Sequence, residues 1–331
     1  MHNSILSLPG QGQSTVLDSL AVEFEESLAD LSASAERELS GMHFAFSRYG
    51  RELYPYFEET DASMVPGCII PIKEGRPVAS VDSTCVLVGE TCQGALYAAR
   101  TAVGISFEGS LRRFFRLGPI LAYASQTGLS GIRTGLSRSE QSLILSDHSM
   151  AEGVIRNVIE RKVVDRLMES DDNIIVMADG SLRHPMGMFE GSRVPHSKGN
   201  SCLVGFSKSS NLIFSESEVG ALTRSDAPSF FIVDGGMLKT VLAKFTANGL
   251  VFRLDVPEDG ETVATTLGRI LWNDAFASGY PDSLKVAHHL SVFTSAEDQA
   301  LKALVTKRFK LRHLPTFSLR RIALGSFRGG A

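Results

Sequence analysis

Ile174-Ile175-Val176-Met177-Ala178-Asp179-Gly180-Ser181-Leu182 is the stretch whose reading decides the fold. The four residues Ile174–Met177 are apolar without a break, as in a short strand buried on both faces. The run ends at Asp179, where Gly180 permits a tight turn. Just upstream, residues 151–169 carry an apolar stripe of Val154, Ile155, Val158, Ile159, Val163, Leu167 and Met168 at helical spacing, and Asp171-Asp172-Asn173 breaks it. A helix leading into a buried strand points to a sheet with helices packed against it.

Further upstream, Val78-Ala79-Ser80-Val81-Asp82-Ser83-Thr84-Cys85-Val86-Leu87-Val88 is a second β-rich run, with an aspartate in its middle. Cys68–Ile72 precedes it and Ala95–Ser106 follows, with turns at Gly75-Arg76-Pro77 and Gly89 to Gly94. These three runs predict a three-stranded meander. Leu111 to about Ser137 reads as helical or mixed. Beyond Asp179, Ser201–Phe206, Phe230–Val233 and Leu250–Leu254 read as strands. Val263–Phe276, Leu284–Leu290 and Ser295–Lys307 read as helices. At the N-terminal end, Leu17, Leu20, Ala21, Phe24, Leu28 and Leu31 mark an amphipathic helix over 14–40 that stops at Gly41. The chain divides into a helical extension, residues 1–62, suited to dimer or partner docking, and a main domain, residues 63–331.

Composition bounds the class. At 43% hydrophobic residues the 331-residue chain can bury a sizeable core, and no uncharged apolar run is long enough to span a bilayer. Met1 to Gly10 shows no signal-peptide pattern. Cys68, Cys85 and Cys202 lie in apolar, strand-like runs and Cys92 forms no C-x-x-C pair, which predicts buried reduced thiols and a cytoplasmic location. The net charge is only -4, but it is unevenly spread. Residues 1–61 hold eleven acids and three bases, whereas residues 299–331 hold eight bases and no acid. The basic end is an anion-binding candidate, with Arg308, Lys310 and Arg312 in its tightest cluster and Phe309 between them. No G-x-x-x-x-G-K-[ST] loop is present, so any ATP-driven work needs a partner.

The chemistry should gather around the aspartates. A lone charge inside an apolar β-run is costly, so Asp82 must pair, hydrogen-bond or bind a cation. Asp179 repeats the arrangement at a strand end. Two carboxylates converging at one sheet edge suit magnesium or manganese, which take hard oxygen ligands. The preceding helix offers Glu152, Glu160, Asp165 and Glu169, and Glu160 lies mid-helix beside the apolar stripe. His288 and His289 point about 100° apart on a helix, so one of them at most is expected to face a site. A histidine near metals can ligate or transfer a proton. Lys208 follows a strand and can meet a phosphate.

These pieces, in this order, resemble the NurA family of nucleases. The family's first motif is a strand aspartate followed by Gly-Ser; here it is Val81-Asp82-Ser83-Thr84, with the glycine replaced. Asp179-Gly180-Ser181-Leu182 matches the second motif fully. Val204-Gly205-Phe206-Ser207-Lys208-Ser209-Ser210 looks like the third, and Gly279-Tyr280-Pro281 with Leu284 and Ala287-His288 the last. The resemblance spans roughly residues 75–305. It implies an α/β, RNase H-like mixed sheet flanked by helices, with Asp82, Asp179 and Glu160 as metal ligands and His288 as the site histidine. It further implies manganese or magnesium, as two ions; cutting of single-stranded DNA and 5′-to-3′ resection of duplex; homodimers; and a HerA-type hexameric ATPase partner in DNA end resection, repair or phage defence. A catalytically silent RNase H-like subunit that clamps DNA or regulates an ATPase is the alternative. A transposase or Argonaute-type enzyme would show its own motif spacing or an extra domain.

Overall fold

The computed structural model describes residues 66–309, apart from 92–93, 126–127, 131–137, 147, 171–172, 183–200, 208–220, 235–237, 258–260 and 278. The helix expected over 14–40, the extension 1–62, Lys208, Lys310 and Arg312 therefore lie outside the described residues. Every described residue belongs to one compact unit, Tyr54–Ala331.

Ten strands form one mixed sheet in the order β1-β8-β9-β10-β7-β6-β2-β3-β4-β5. Its centre is β2 (Val78–Thr91), β3 (Gly94–Phe107) and β4 (Ser110–Ser125), which run antiparallel, with β6 (Ile175–Asp179) and β7 (Cys202–Ser207) joining parallel on the other side of β2. The order β4-β3-β2-β6-β7 is the RNase H-like arrangement expected. The short strand β1 (Gly67–Cys68) and β8 (Ser229–Asp234), β9 (Leu238–Lys244) and β10 (Phe252–Pro257) extend the sheet antiparallel beyond β7. On the far edge, β5 (Gly128–Ser130) pairs with the end of β4. A separate two-stranded ladder is made by β11 (Phe276–Ala277) and β12 (Tyr280–Pro281).

Helices cover both faces. On one side α1 (Arg138–Ser146) and α2 (His148–Ser170) pack Ile144, Val154, Ile155, Val158 and Val164 against Val81, Cys85, Tyr97 and Val103. On the other, α3 (Val263–Asn273) and α4 (Asp282–Ser291) set Leu267, Ile270 and Leu284 against Val78, Met177, Phe206 and Leu254. The last helix, α5 (Ser295–Phe309), covers Val88 and Ala98 with Leu301 and Val305. Parallel strands covered on both faces read as continuous apolar runs, which is why β6 was legible.

Three expectations need correction. The stretch expected to be helical or mixed from Leu111 is the strand β4, paired with β3 along almost its whole length. Leu111, Phe114 and Phe115 fall at spacings of three and four, which imitates a helix, but the ladder to β3 decides the backbone. The meander is β2-β3-β4 rather than one beginning at Cys68, because Gly67 and Cys68 pair with β8. Cys68 is consequently exposed on an edge strand, whereas Cys85 and Cys202 are buried free thiols as expected.

Candidate metal centre

The side chains of β2 alternate. Ser80, Asp82 and Thr84 face α4, while Ala79, Val81 and Cys85 face α2. Asp82 is 6% exposed. Its Oδ1 accepts the Ser83 backbone N–H at 2.7 Å, and its Oδ2 accepts the Ser291 hydroxyl at 3.2 Å. His288 Nδ1 lies 2.7 Å from the same Oδ2. On the next strand Val81 is in register with Ala178, so Asp179 falls beside Asp82. Ligand atoms of Asp82, Asp179 and His288 all lie within 4.8 Å of one another. Two carboxylates and an imidazole at that spacing form a donor set for one or two hard divalent cations.

The histidine is placed by a layer of small and polar residues. Ser283, in the first turn of α4, lies so close to Gly104 of β3 that a Cβ there would collide with the Ser283 carbonyl oxygen. Ser80 and Ser283 share a hydrogen bond of 2.6 Å. Buried Asp274 accepts the Ala275 N–H at 2.9 Å, the Ser283 N–H at 3.3 Å and the Ser283 hydroxyl. Burial raises the Asp274 carboxyl above the usual range, against the pull of these donors. Beyond the end of α4, Arg100 of β3 donates to the Val292 carbonyl at 3.2 Å and to Glu297 at 3.1 Å, and stacks on Phe293. Both ends of the helix are thus tied to β3, and His288 is held over β2. His289 is exposed and outside the ligand group, with its ring centroid 5.9 Å from that of His288.

Glu160 takes a different position from the other three. It reaches the sheet from the α2 side, where Ser83 hydrogen-bonds its carboxylate, and it is not part of the group within 4.8 Å. Its surroundings still bind it to the site. Burial pushes its carboxyl up to about 8, opposed by Arg156 and reinforced by the charges of Asp82 and Asp179. Tyr280 responds to the same two carboxylates: burial first, then Asp179 and Asp82, push its hydroxyl well above the usual phenol range. Arg308 sits in the last turn of α5 and is exposed.

Sequence reasoning missed Asp255, 1% exposed on β10. Its Oδ2 accepts the Ser181 hydroxyl at 2.6 Å and the Leu182 N–H at 2.9 Å, so it grips the turn that follows Asp179. The signal was present: Phe252-Arg253-Leu254-Asp255-Val256 is another apolar β-run with an aspartate inside it. Gly205 is explained by the same turn, since a Cβ there would sit 2.7 Å from the Gly180 carbonyl oxygen and 2.8 Å from Leu182 Cγ.

No family model and no curated protein matches the sequence. Among solved structures, the chain is similar to the NurA nuclease from Sulfolobus solfataricus at 13% identity and a TM-score of 0.46, over 91% of this chain and 99% of that one. It is also similar to a NurA bound to dAMP and manganese, at 10% identity and a TM-score of 0.45, over 93% and 98% of the two chains. Human ENDOV is similar at 12% identity and a TM-score of 0.35, over 66% and 83%.

Proposed function

We propose that the protein is a divalent-metal-dependent DNA nuclease, with Asp82, Asp179 and His288 at its centre. The observation that carries the reading is their convergence: residues 206 positions apart in sequence offer ligand atoms within one small volume. Two carboxylates side by side repel, and a bound cation would turn that repulsion into binding. The donor set fits magnesium or manganese, held by Asp82 and Asp179, with Glu160 behind them as a further carboxylate. Such ions activate water and stabilise the leaving oxygen of a phosphodiester.

The protein's own groups have distinct tasks. Asp82 Oδ2 accepts from Nδ1 of His288, which orients the ring and leaves Nε2 to bind a cation or to move a proton. The Ser83 amide and Ser291 hydroxyl hold the Asp82 carboxylate in place. Lys208, Arg308, Lys310 and Arg312 attract the DNA backbone without reading bases. The substrates are single strands and the 5′ ends of duplexes. The sequence resemblance supports action as a homodimer with a HerA-type hexameric ATPase, in end resection, repair or phage defence, and the reduced thiols support a cytoplasmic setting. No described helix is long and apolar enough to cross a membrane.

The test is cleavage of labelled single-stranded and duplex DNA by the purified chain, with manganese, with magnesium and with EDTA, and with and without a HerA-type ATPase. Asp82→Asn and Asp179→Asn should each abolish cleavage while leaving the melting temperature near that of the unaltered protein. Full activity in either variant refutes the assignment. Absence of any divalent-dependent cleavage, with DNA binding retained, favours a silent DNA-clamping subunit.

A further inference from the structure

The turn after Asp179 is anchored from a strand that contributes nothing to the ligand group. Asp255 of β10 stands in register with Gly205 of β7, and Gly205 with Ala178 of β6. The three positions make a row across the sheet on the face opposite Asp82 and Asp179, since Ala178 packs with the α2-side core. Because Gly205 lacks a side chain, the Gly180-Ser181-Leu182 segment can fold back over that row. There Asp255 receives both the Ser181 hydroxyl and the Leu182 amide. Arg253, two residues earlier on the same face, donates from Nη2 to Asp255 Oδ1 at 3.0 Å and to Ser181 Oγ at 3.0 Å. Gly180 itself, at φ 122°, donates its N–H to the Phe206 carbonyl at 2.9 Å.

We propose that Asp255, with Arg253, is a positioning residue for the metal centre: it clamps the Ser181-Leu182 turn from behind the sheet and so fixes where the Asp179 carboxylate stands. This rests on the metal reading of the site. The physical reason is that a strand-end residue has a ladder partner on one side of it only. Without a clamp the Asp179 backbone is free to fray, and a cation must then order it on binding. With the clamp that ordering is complete before the cation arrives. Asp255 is suited to the task because its charge is matched by Arg253, leaving its second oxygen to hold the turn. A buried ion pair that served the fold alone would have no need to accept from the second and third residues after a ligand.

The experiment uses the full chain and Mn2+ alone as probe. Binding is read from the electron paramagnetic resonance signal of free Mn2+, and turn opening from hydrogen exchange in the peptide holding residues 180–182 without metal. Ser181→Ala removes the hydroxyl's bonds to Asp255 and from Arg253 but leaves their ion pair intact and strands no charge; it should weaken Mn2+ binding roughly 5- to 30-fold, as the loss of one or two hydrogen bonds does. Asp255→Asn should weaken it about 10- to 100-fold, the range for groups that orient a ligand from behind. Both should accelerate exchange at 180–182, and Ser181→Ala should leave the melting temperature nearly unchanged. Should Asp255→Asn fail to fold, Ser181→Ala still decides the matter. Mn2+ binding by the unaltered chain that persists undiminished in folded Ser181→Ala overturns the clamp alone. An unaltered chain that binds no Mn2+ overturns the metal reading and the clamp with it.

Discussion

Replacing Glu160 by glutamine in the metal-free protein should stabilise it, and the size and pH dependence of the gain follow from the site. The Glu160 carboxyl is raised from 4.5 to about 8, first by burial and then by the charges of Asp82 and Asp179, against the pull of Arg156. The sign follows from linkage. Above pH 4.5 the unfolded chain releases the Glu160 proton while the folded chain keeps it, so stability falls as pH rises and levels off above about 8. At pH 7 the cost amounts to roughly 3 kcal/mol, taking about 1.4 kcal/mol per pH unit. Glutamine resembles the protonated acid and carries no such cost. In EDTA at pH 7, Glu160→Gln should therefore melt roughly 5 °C higher than the unaltered protein. At pH 4.5 the two should melt together. Saturating manganese should reverse the order, because the cation favours the carboxylate that glutamine lacks. Thermal melts at pH 4.5, 6, 7 and 8, with EDTA and with manganese, test the whole sequence. A variant less stable than the unaltered protein in EDTA at pH 7, or a gain that persists undiminished at pH 4.5, would refute the reasoning.

Other outcomes follow from the same geometry. His288→Ala should slow cleavage by about 10²- to 10⁴-fold, the range for a proton-transfer group, while His289→Ala should leave the rate near normal; the reverse result would show that the wrong ring was assigned. Gly205→Ala should lower stability by about 1–3 kcal/mol, because its methyl meets the Gly180 carbonyl and Leu182, and an unchanged denaturant midpoint would contradict the close approach. Neutralising Arg308, Lys310 and Arg312 together should weaken DNA binding equally across sequences and flatten the log–log salt slope by roughly 0.7 for each single-strand phosphate that is no longer neutralised; anisotropy over a salt series reads both. Deleting residues 1–40 should weaken HerA-type association or dimerisation and leave metal-dependent cleavage measurable, and an unchanged assembly in light scattering would count against a docking role.

Local pattern was enough for the elements buried on both faces. The unbroken apolar run at β6 and the stripe of α2 were readable because a residue there has only one acceptable surrounding. The strand β4 was not, since its first eleven residues are exposed and hydrophobic periodicity carries information only where one face is buried. Two aspartates stood out for the reason that matters chemically: a charge inside an apolar strand must have a partner. Asp255 carried the same mark and was passed over, because nothing in its own neighbourhood tells that it reaches a turn more than seventy residues away.

By itself, the sequence determined that the chain has a helix-covered sheet, that Asp82 and Asp179 occupy strand positions fit for a site, and that one of two adjacent histidines could join them. These are matters of local periodicity and of the energy of burying a charge. Tertiary structure alone decided that β6 lies parallel to β2 with Ala178 level with Val81, which puts the two carboxylates side by side. The motif resemblance already pointed to His288, but helix periodicity did not choose between the two rings; the structure seats α4 on Gly104 with His288 towards Asp82, and brings Glu160 in from the opposite face. Strand register and helix seating are settled by contacts between residues far apart in the chain, and no local window of sequence contains both partners.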